Sequence, residues 1–183
     1  MRELNLYVSA SAEMDAECEL LGQLLAQLTQ TVRWAIKRTP PPHLKIDADW
    51  AALDRADFYV ILIGSDITAP IGVEWRAAQD KGVPTLAYRN ALATPSPALS
   101  GFVRQARANW HPYESAQTFA ADFRRRLCEL LIDGTPGYGL SLEEIETLAK
   151  ALHDEDREPN ADGEERRGAG SGGVILPRGQ DLR

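Results

Sequence analysis

Hydrophobic and polar positions are most sharply segregated between Ala56 and Tyr88. Phe58 to Ile63, FYVILI, is apolar without alternation. Such a run, rich in Val and Ile, suits a parallel strand buried on both faces. It stops at Gly64-Ser65-Asp66, and a loop containing Pro70 and Gly72 is expected to follow. Glu74 to Lys81 reads as a helix closed by Gly82, just before Pro84. Val83 to Tyr88 reads as the next buried strand. Strand, polar loop, helix and strand make a βαβ unit. In open α/β sheets ligands bind beyond the carboxyl ends of the strands, which makes Gly64 to Glu74 the candidate site.

The same pattern runs along the rest of the chain. Leu4 to Ser9 reads as a first strand. Leu20, Leu21, Leu24, Leu25 and Leu28 form a helical stripe between about Ala12 and Gln30. Ser11 can cap that helix, and Glu13, Asp15 and Glu17 sit where its dipole favours acids. Thr31 to Arg38 reads as a second strand, and the three prolines at 40–42 force an extended path after it. Asp49 to Ala56 and Ala98 to Arg107 read as helices, and Trp110 to Tyr113 as a short strand. Thr118 to Ile132 is amphipathic, with Arg124-Arg125-Arg126 a solvated face. The order predicts an α/β fold: a flavodoxin-like five-stranded parallel sheet, strand order 2-1-3-4-5, with helices on both faces.

The composition changes near Gly134. Residues 1–133 are expected to form the α/β domain, and 134–153 a linker with an accessory helix. That helix, Ser141 to His153, starts in a capping box from Ser141 to Glu144. Apart from it, residues after Gly134 are not expected to pack on the domain. Residues 154–183 read as a disordered charged tether with a short apolar peptide, Val174-Ile175-Leu176, which is either an inert tail or a strand added to a protein partner or to this domain's own edge.

The totals narrow the class. A chain of 183 residues holds one full core plus some excess. Mean hydropathy of −0.32 and the lack of any long apolar run argue against a membrane protein. Cys18 and Cys128 have neither metal-ligand nor redox spacing and read as reduced thiols of a cytoplasmic protein. A net charge of −7 argues against nucleic acid as partner.

The polar residues expected at the carboxyl edge are Ser9 and Ser11 after the first strand and Ser65 and Asp66 after the third, with Glu74 at the following helix start. Tyr7 can face the same crevice, and Arg76 can face an anionic ligand there. A carboxylate in that position can accept a ribose hydroxyl, stabilise an oxocarbenium-like centre, or attack one. Each has a plainer reading: helix-start electrostatics for Glu74, an Asx-turn for Asp66, core packing for Tyr7, solvent exposure for Arg76. No phosphate-loop or dinucleotide fingerprint and no nucleophile elbow is present. His43, His111 and His153 lack metal spacing. Neither cofactor nor metal is expected.

Three short motifs carry a resemblance: Ala56-Asp57 leading into the apolar strand, Gly72-Val73-Glu74, and Lys81-Gly82-Val83-Pro84. Together they resemble the superfamily that joins nucleoside 2-deoxyribosyltransferases with TIR and TIR-like domains, over about residues 4–132. The opening LYVSAS is similar to the first strand of TIR-like domains of bacterial conflict systems. The resemblance implies that Glu74 is the carboxylate that attacks or supports C1′ during N-glycosidic cleavage of NAD or a nucleoside. It also implies that Tyr7, Ser9 and Asp66 line the pocket. The chain departs from the deoxyribosyltransferases, which carry Asp-X-Gly-Thr where this sequence has Asp66 to Gly72 as DITAPIG. Many TIR-like members are sensors or scaffolds. Two expectations therefore stand side by side: a glycosidic-bond enzyme acting through Glu74, and a non-catalytic nucleotide-sensing or protein-interaction module of a defence or signalling system. Homo-oligomerisation fits either.

Overall fold

The computed structural model describes residues 2–28, 32–40, 47–134 and 137–155. The expected tether and apolar peptide lie outside them. Five parallel strands form one sheet in the order β2-β1-β3-β4-β5, the flavodoxin-like order. They are β1 (Arg2–Ala10), β2 (Val32–Arg38), β3 (Phe58–Ile63), β4 (Thr85–Asn90) and β5 (Trp110–Tyr113). The helices are α1 (Asp15–Leu28), α2 (Trp50–Asp54), α3 (Ala69–Lys81), α4 (Pro97–Ala106), α5 (Ala116–Asp133) and α6 (Leu142–Glu155). A single 3-10 turn, Ala12–Met14, leads into α1. Among the described residues no helix is long and apolar enough to cross a membrane.

β3 shows why an unbroken apolar run was needed. All six of its residues are buried. Phe58, Val60 and Leu62 join a core with α1, α5 and α6, while Tyr59, Ile61 and Ile63 join a second core with α2, α3 and α4. Two layers on two faces follow from side chains alternating across one central strand. β1 obeys the same period with a different content. Leu4, Leu6, Val8 and Ala10 enter the first core, so Asn5, Tyr7 and Ser9 are directed to the other face. That face of β1 is polar yet covered, and its groups require partners.

Boundaries differ from the expectation where local chemistry was misjudged. The helix after β3 begins at Ala69, five residues before Glu74, so Pro70 and Gly72 are helical. Proline fits a first turn because its missing N–H would have had no partner there. Ser11 precedes the 3-10 turn but makes no side-chain cap. The capping box at Ser141 is formed: its hydroxyl accepts from the Glu144 N–H at 3.2 Å, and the Ser141 N–H donates to Glu144 Oε2 at 3.2 Å. α6 packs on the first core through Leu148, Ile145 and Leu152. Tyr138 and Leu140, ahead of α6, also pack there, with the Tyr138 ring 4.8 Å from that of Phe58. That corrects the expectation that only the helix would pack: an aromatic and a leucine within a glycine-bearing turn were enough to bury it.

Gly82 ends α3 in the left-handed region, at φ 70°, and donates to the Ala78 and Gln79 carbonyls. A side chain there meets no neighbour, so only the backbone conformation resists it. Gly82→Ala is therefore expected to cost about 1–2 kcal/mol in urea unfolding, with an unchanged m-value. Neither cysteine is in a disulfide. Burial pushes the Cys18 thiol up to about 11, which leaves little thiolate at neutral pH.

Candidate functional site

The expected carboxylate is the organising group of a buried polar cluster. Glu74 lies in the second turn of α3 and is fully buried. It is therefore no longer a helix-start acid with its charge in solvent, and the dipole reading is set aside. Its Oε1 accepts the Tyr7 hydroxyl at 2.8 Å. Its Oε2 accepts the Ser9 hydroxyl at 2.5 Å and the Thr39 hydroxyl at 2.6 Å. Three separate segments thus meet on one side chain: the polar face of β1, the residue just beyond β2, and α3.

Each position has a local cause. The β1 alternation aims Tyr7 and Ser9 to the α3 side, and parallel pairing places Tyr7 beside Tyr59 and Ser9 beside Ile61. Thr39 continues the β2 path, with its N–H donating to the Val8 carbonyl at 2.9 Å. Ile71, Trp75 and Ala78 pack into the second core and hold α3 in the rotation that turns Glu74 inward. Tyr7 stacks on Tyr59 with ring centres 6.3 Å apart. Burial first, and then the Glu74 charge and hydrogen bond, hold the Tyr7 hydroxyl well above its ordinary value, so it stays a donor.

Tyr59 adds an imbalance. Its hydroxyl is buried and makes no hydrogen bond of full geometry among the described residues; the Ser9 hydroxyl approaches it as a partial hydrogen-bond partner, and the Glu74 charge acts on it as well. A buried hydroxyl beside a carboxylate cluster is a group for which a ligand atom or a water provides a natural partner.

Other expected residues lie elsewhere or are engaged. Ser11 and Ser65 both bind Glu13. Glu13 Oε1 accepts the Ser65 N–H at 2.7 Å, the Asp66 N–H at 3.4 Å and the Ser11 hydroxyl at 3.2 Å. Its Oε2 accepts the Ser65 hydroxyl at 2.6 Å. Asp66 is engaged within its own loop: its Oδ1 accepts the N–H of the next residue, Ile67, at 2.8 Å and the Ser96 hydroxyl at 2.6 Å, and it is exposed. Arg76 is exposed and lines an open groove of about 640 Å³ between α3 and α4 with Trp75, Phe102 and Arg107. It sits two residues from Glu74, so it projects from another face of α3 and is not part of the cluster.

Thr39 and Glu13 were missed by sequence reasoning. Thr39 could have been suspected, because it stands at the carboxyl end of a strand, the edge where ligands bind. Glu13 was read as dipole compensation, and nothing local indicates that it reaches across to the end of β3.

The Glu13 contact titrates. Burial alone would raise its carboxyl, but the Ser65 hydroxyl and N–H, the Asp66 N–H and the Ser11 hydroxyl outweigh burial and hold it below its ordinary value. A carboxyl lowered by folding contributes stability that is present above its unfolded value and is lost as pH falls through its folded value. The Ser65 and Asp66 amide resonances are therefore expected to hold constant at neutral pH and move together below about pH 4.5, the unshifted value. Glu13→Gln should remove the Glu13 part of that step at Ser65, while the Asp66 amide still follows its own carboxyl, which the Ser96 hydroxyl and the Ile67 N–H hold below its ordinary value.

Among the described residues no group of His, Cys, Asp and Glu is arranged to hold a metal ion. What the Glu74 cluster can do chemically is accept hydroxyl donors, the contact a sugar diol makes with a carboxylate, and present one carboxylate to a reacting carbon. In comparisons with known proteins the chain matches no family model and no curated sequence.

Proposed function

We propose that this is a TIR-like domain of a defence or signalling system that takes a nucleotide-type ligand at the carboxyl edge of β1 and β3 and uses Glu74 on its ribose, up to cleavage of an N-glycosidic bond. One observation carries the reading: a fully buried carboxylate held by three hydroxyl groups at the strand-order switch between β1 and β3. Burying a carboxylate is costly, and packing alone would be served by an apolar residue. The three donors have the chemistry of ribose hydroxyls, so a bound sugar can replace Ser9 and Thr39 while Tyr7 keeps its contact. Glu74 is then free to support positive charge at C1′ or to bond to it. Because Glu74 has no exposed surface, a ligand reaches it only after the groups around it part.

The test is incubation of the purified protein with NAD and a panel of nucleosides, following release of free base, beside Glu74→Gln. Glutamine keeps the size and an acceptor oxygen but has no charge to offer C1′. Release by the wild type and at least hundredfold slower release by the variant is the expected result. The sealed state of Glu74 specifically favours a second reading, a nucleotide-sensing or protein-interaction module that does not turn over. No release by the wild type, with ligand-induced protection of Tyr7 and Ser9 amides from exchange, would select it.

A further inference from the structure

We propose that the donors gathered on Glu13 form an oxyanion site for a ligand phosphate, which Glu13 occupies when no ligand is bound. The ligand class this names is a phosphorylated one, a nucleotide rather than a nucleoside. The inference rests on reading this edge of the sheet as the ligand crevice.

The arrangement is that of an anion cradle. Two backbone N–H groups, of Ser65 and Asp66, and two hydroxyls, of Ser11 and Ser65, converge on the two oxygens of one carboxylate. Successive N–H groups in a turn aimed at a single anion make a concavity that binds carboxylates and phosphates alike. The cradle is shaped to the anion as well as lined with donors for it. A Cβ on Gly64 would stand 2.5 Å from Glu13 Oε1, so only the missing side chain allows an oxygen to sit there.

The occupant is built to leave. Glu13 is exposed, and its side chain belongs to a one-turn 3-10 segment, so its departure opens no core. A cation is at hand for what replaces it. Arg38 reaches the same edge, donating to the Ser11 carbonyl at 2.9 Å and pairing with Asp15 at 2.6 Å. A phosphate entering the cradle would meet the donors that Glu13 now uses, while losing the repulsion that Glu13 exerts. Glu13 thus sets a threshold: a neutral nucleoside gains nothing from this site, and a phosphorylated ligand must displace an internal carboxylate.

The experiment titrates wild type, Glu13→Gln and Glu13→Ala with sulfate and then pyrophosphate, following backbone amide resonances. The expected result is at least tenfold tighter binding by Glu13→Ala than by wild type, with Ser65 and Asp66 moving most and Glu13→Gln intermediate. Binding no tighter in folded variants, or shifts centred elsewhere, would overturn the proposal and leave Glu13 as a clasp between two loops. If Glu13→Ala does not fold, Glu13→Gln decides. Unfolding of both also overturns it, because a displaceable side chain is not essential to the fold. The readout needs no turnover and is unaffected by Glu74→Gln, so failure here and failure of base release are separate results.

Discussion

Replacing Glu74 by alanine is expected to lower the melting temperature by roughly 5–20 °C, far more than an exposed helical glutamate would. Alanine removes the acceptor of three hydroxyl groups. Thr39 has a fallback in the Val8 carbonyl, 3.4 Å away. Tyr7 and Ser9 are left unpaired in the interior, at roughly 1–3 kcal/mol for each stranded group, so a loss of about 2–5 kcal/mol follows. Thermal and urea unfolding measure it. Glu74→Gln, which keeps an acceptor, should lose less. A double-mutant cycle with Tyr7→Phe isolates the contact: the phenylalanine has no hydroxyl to strand, so the pair should be less destabilised than the sum of the singles, by about 0.5–3 kcal/mol. Additive effects would mean that the 2.8 Å contact contributes nothing to stability.

Truncating Phe119 to alanine has a comparable effect from a different source. Its ring is fully buried and meets Tyr88 edge-on at 5.0 Å, with Tyr113 at 5.2 Å and Phe123 at 5.9 Å. This aromatic group joins α5 to β4 and β5 on the face away from Glu74. Removing a buried phenylalanine leaves a cavity and costs roughly 3–5 kcal/mol. At this chain length that is a fall of about 6–20 °C in melting temperature. Because the two cores are separated by the sheet, Phe119→Ala and Glu74→Ala should add within about 0.5 kcal/mol. The two differ in function: Phe119→Ala should leave ligand-induced shifts of Tyr7 and Ser9 intact below its melting temperature, whereas Glu74→Ala should abolish them.

The sheet was legible because each strand announces itself locally. FYVILI can be satisfied only between two layers, and Leu4, Leu6 and Val8 alternating with Asn5, Tyr7 and Ser9 already separate a core face from a polar one. With four αβ steps after the first strand, the expected order β2-β1-β3-β4-β5 is the one observed. The carboxylate was legible for the same reason, since it follows the third strand by a fixed short distance. The start of α3 was misjudged, because Pro70 and Gly72 suggest a loop although proline also suits a helix's first turn, and the packing of Ile71 in the second core holds that turn in place.

The remainder belongs to the tertiary structure. Which hydroxyls meet Glu74 depends on the register of β1 against β3, on where β2 ends, and on how far α3 is rotated. None of these is a property of any one segment. Thr39 lies 35 residues from Glu74 and Glu13 lies 52 from Ser65, so no local pattern links them. Arg76 shows the converse: near Glu74 in sequence, it projects from another face of the same helix. Local periodicity determined which segments become strands and helices and which edge carries polar groups, because those choices are made residue by residue against solvent. Long-range packing decided which of those groups touch, because a hydrogen bond between distant segments exists only once the two cores have set their distance.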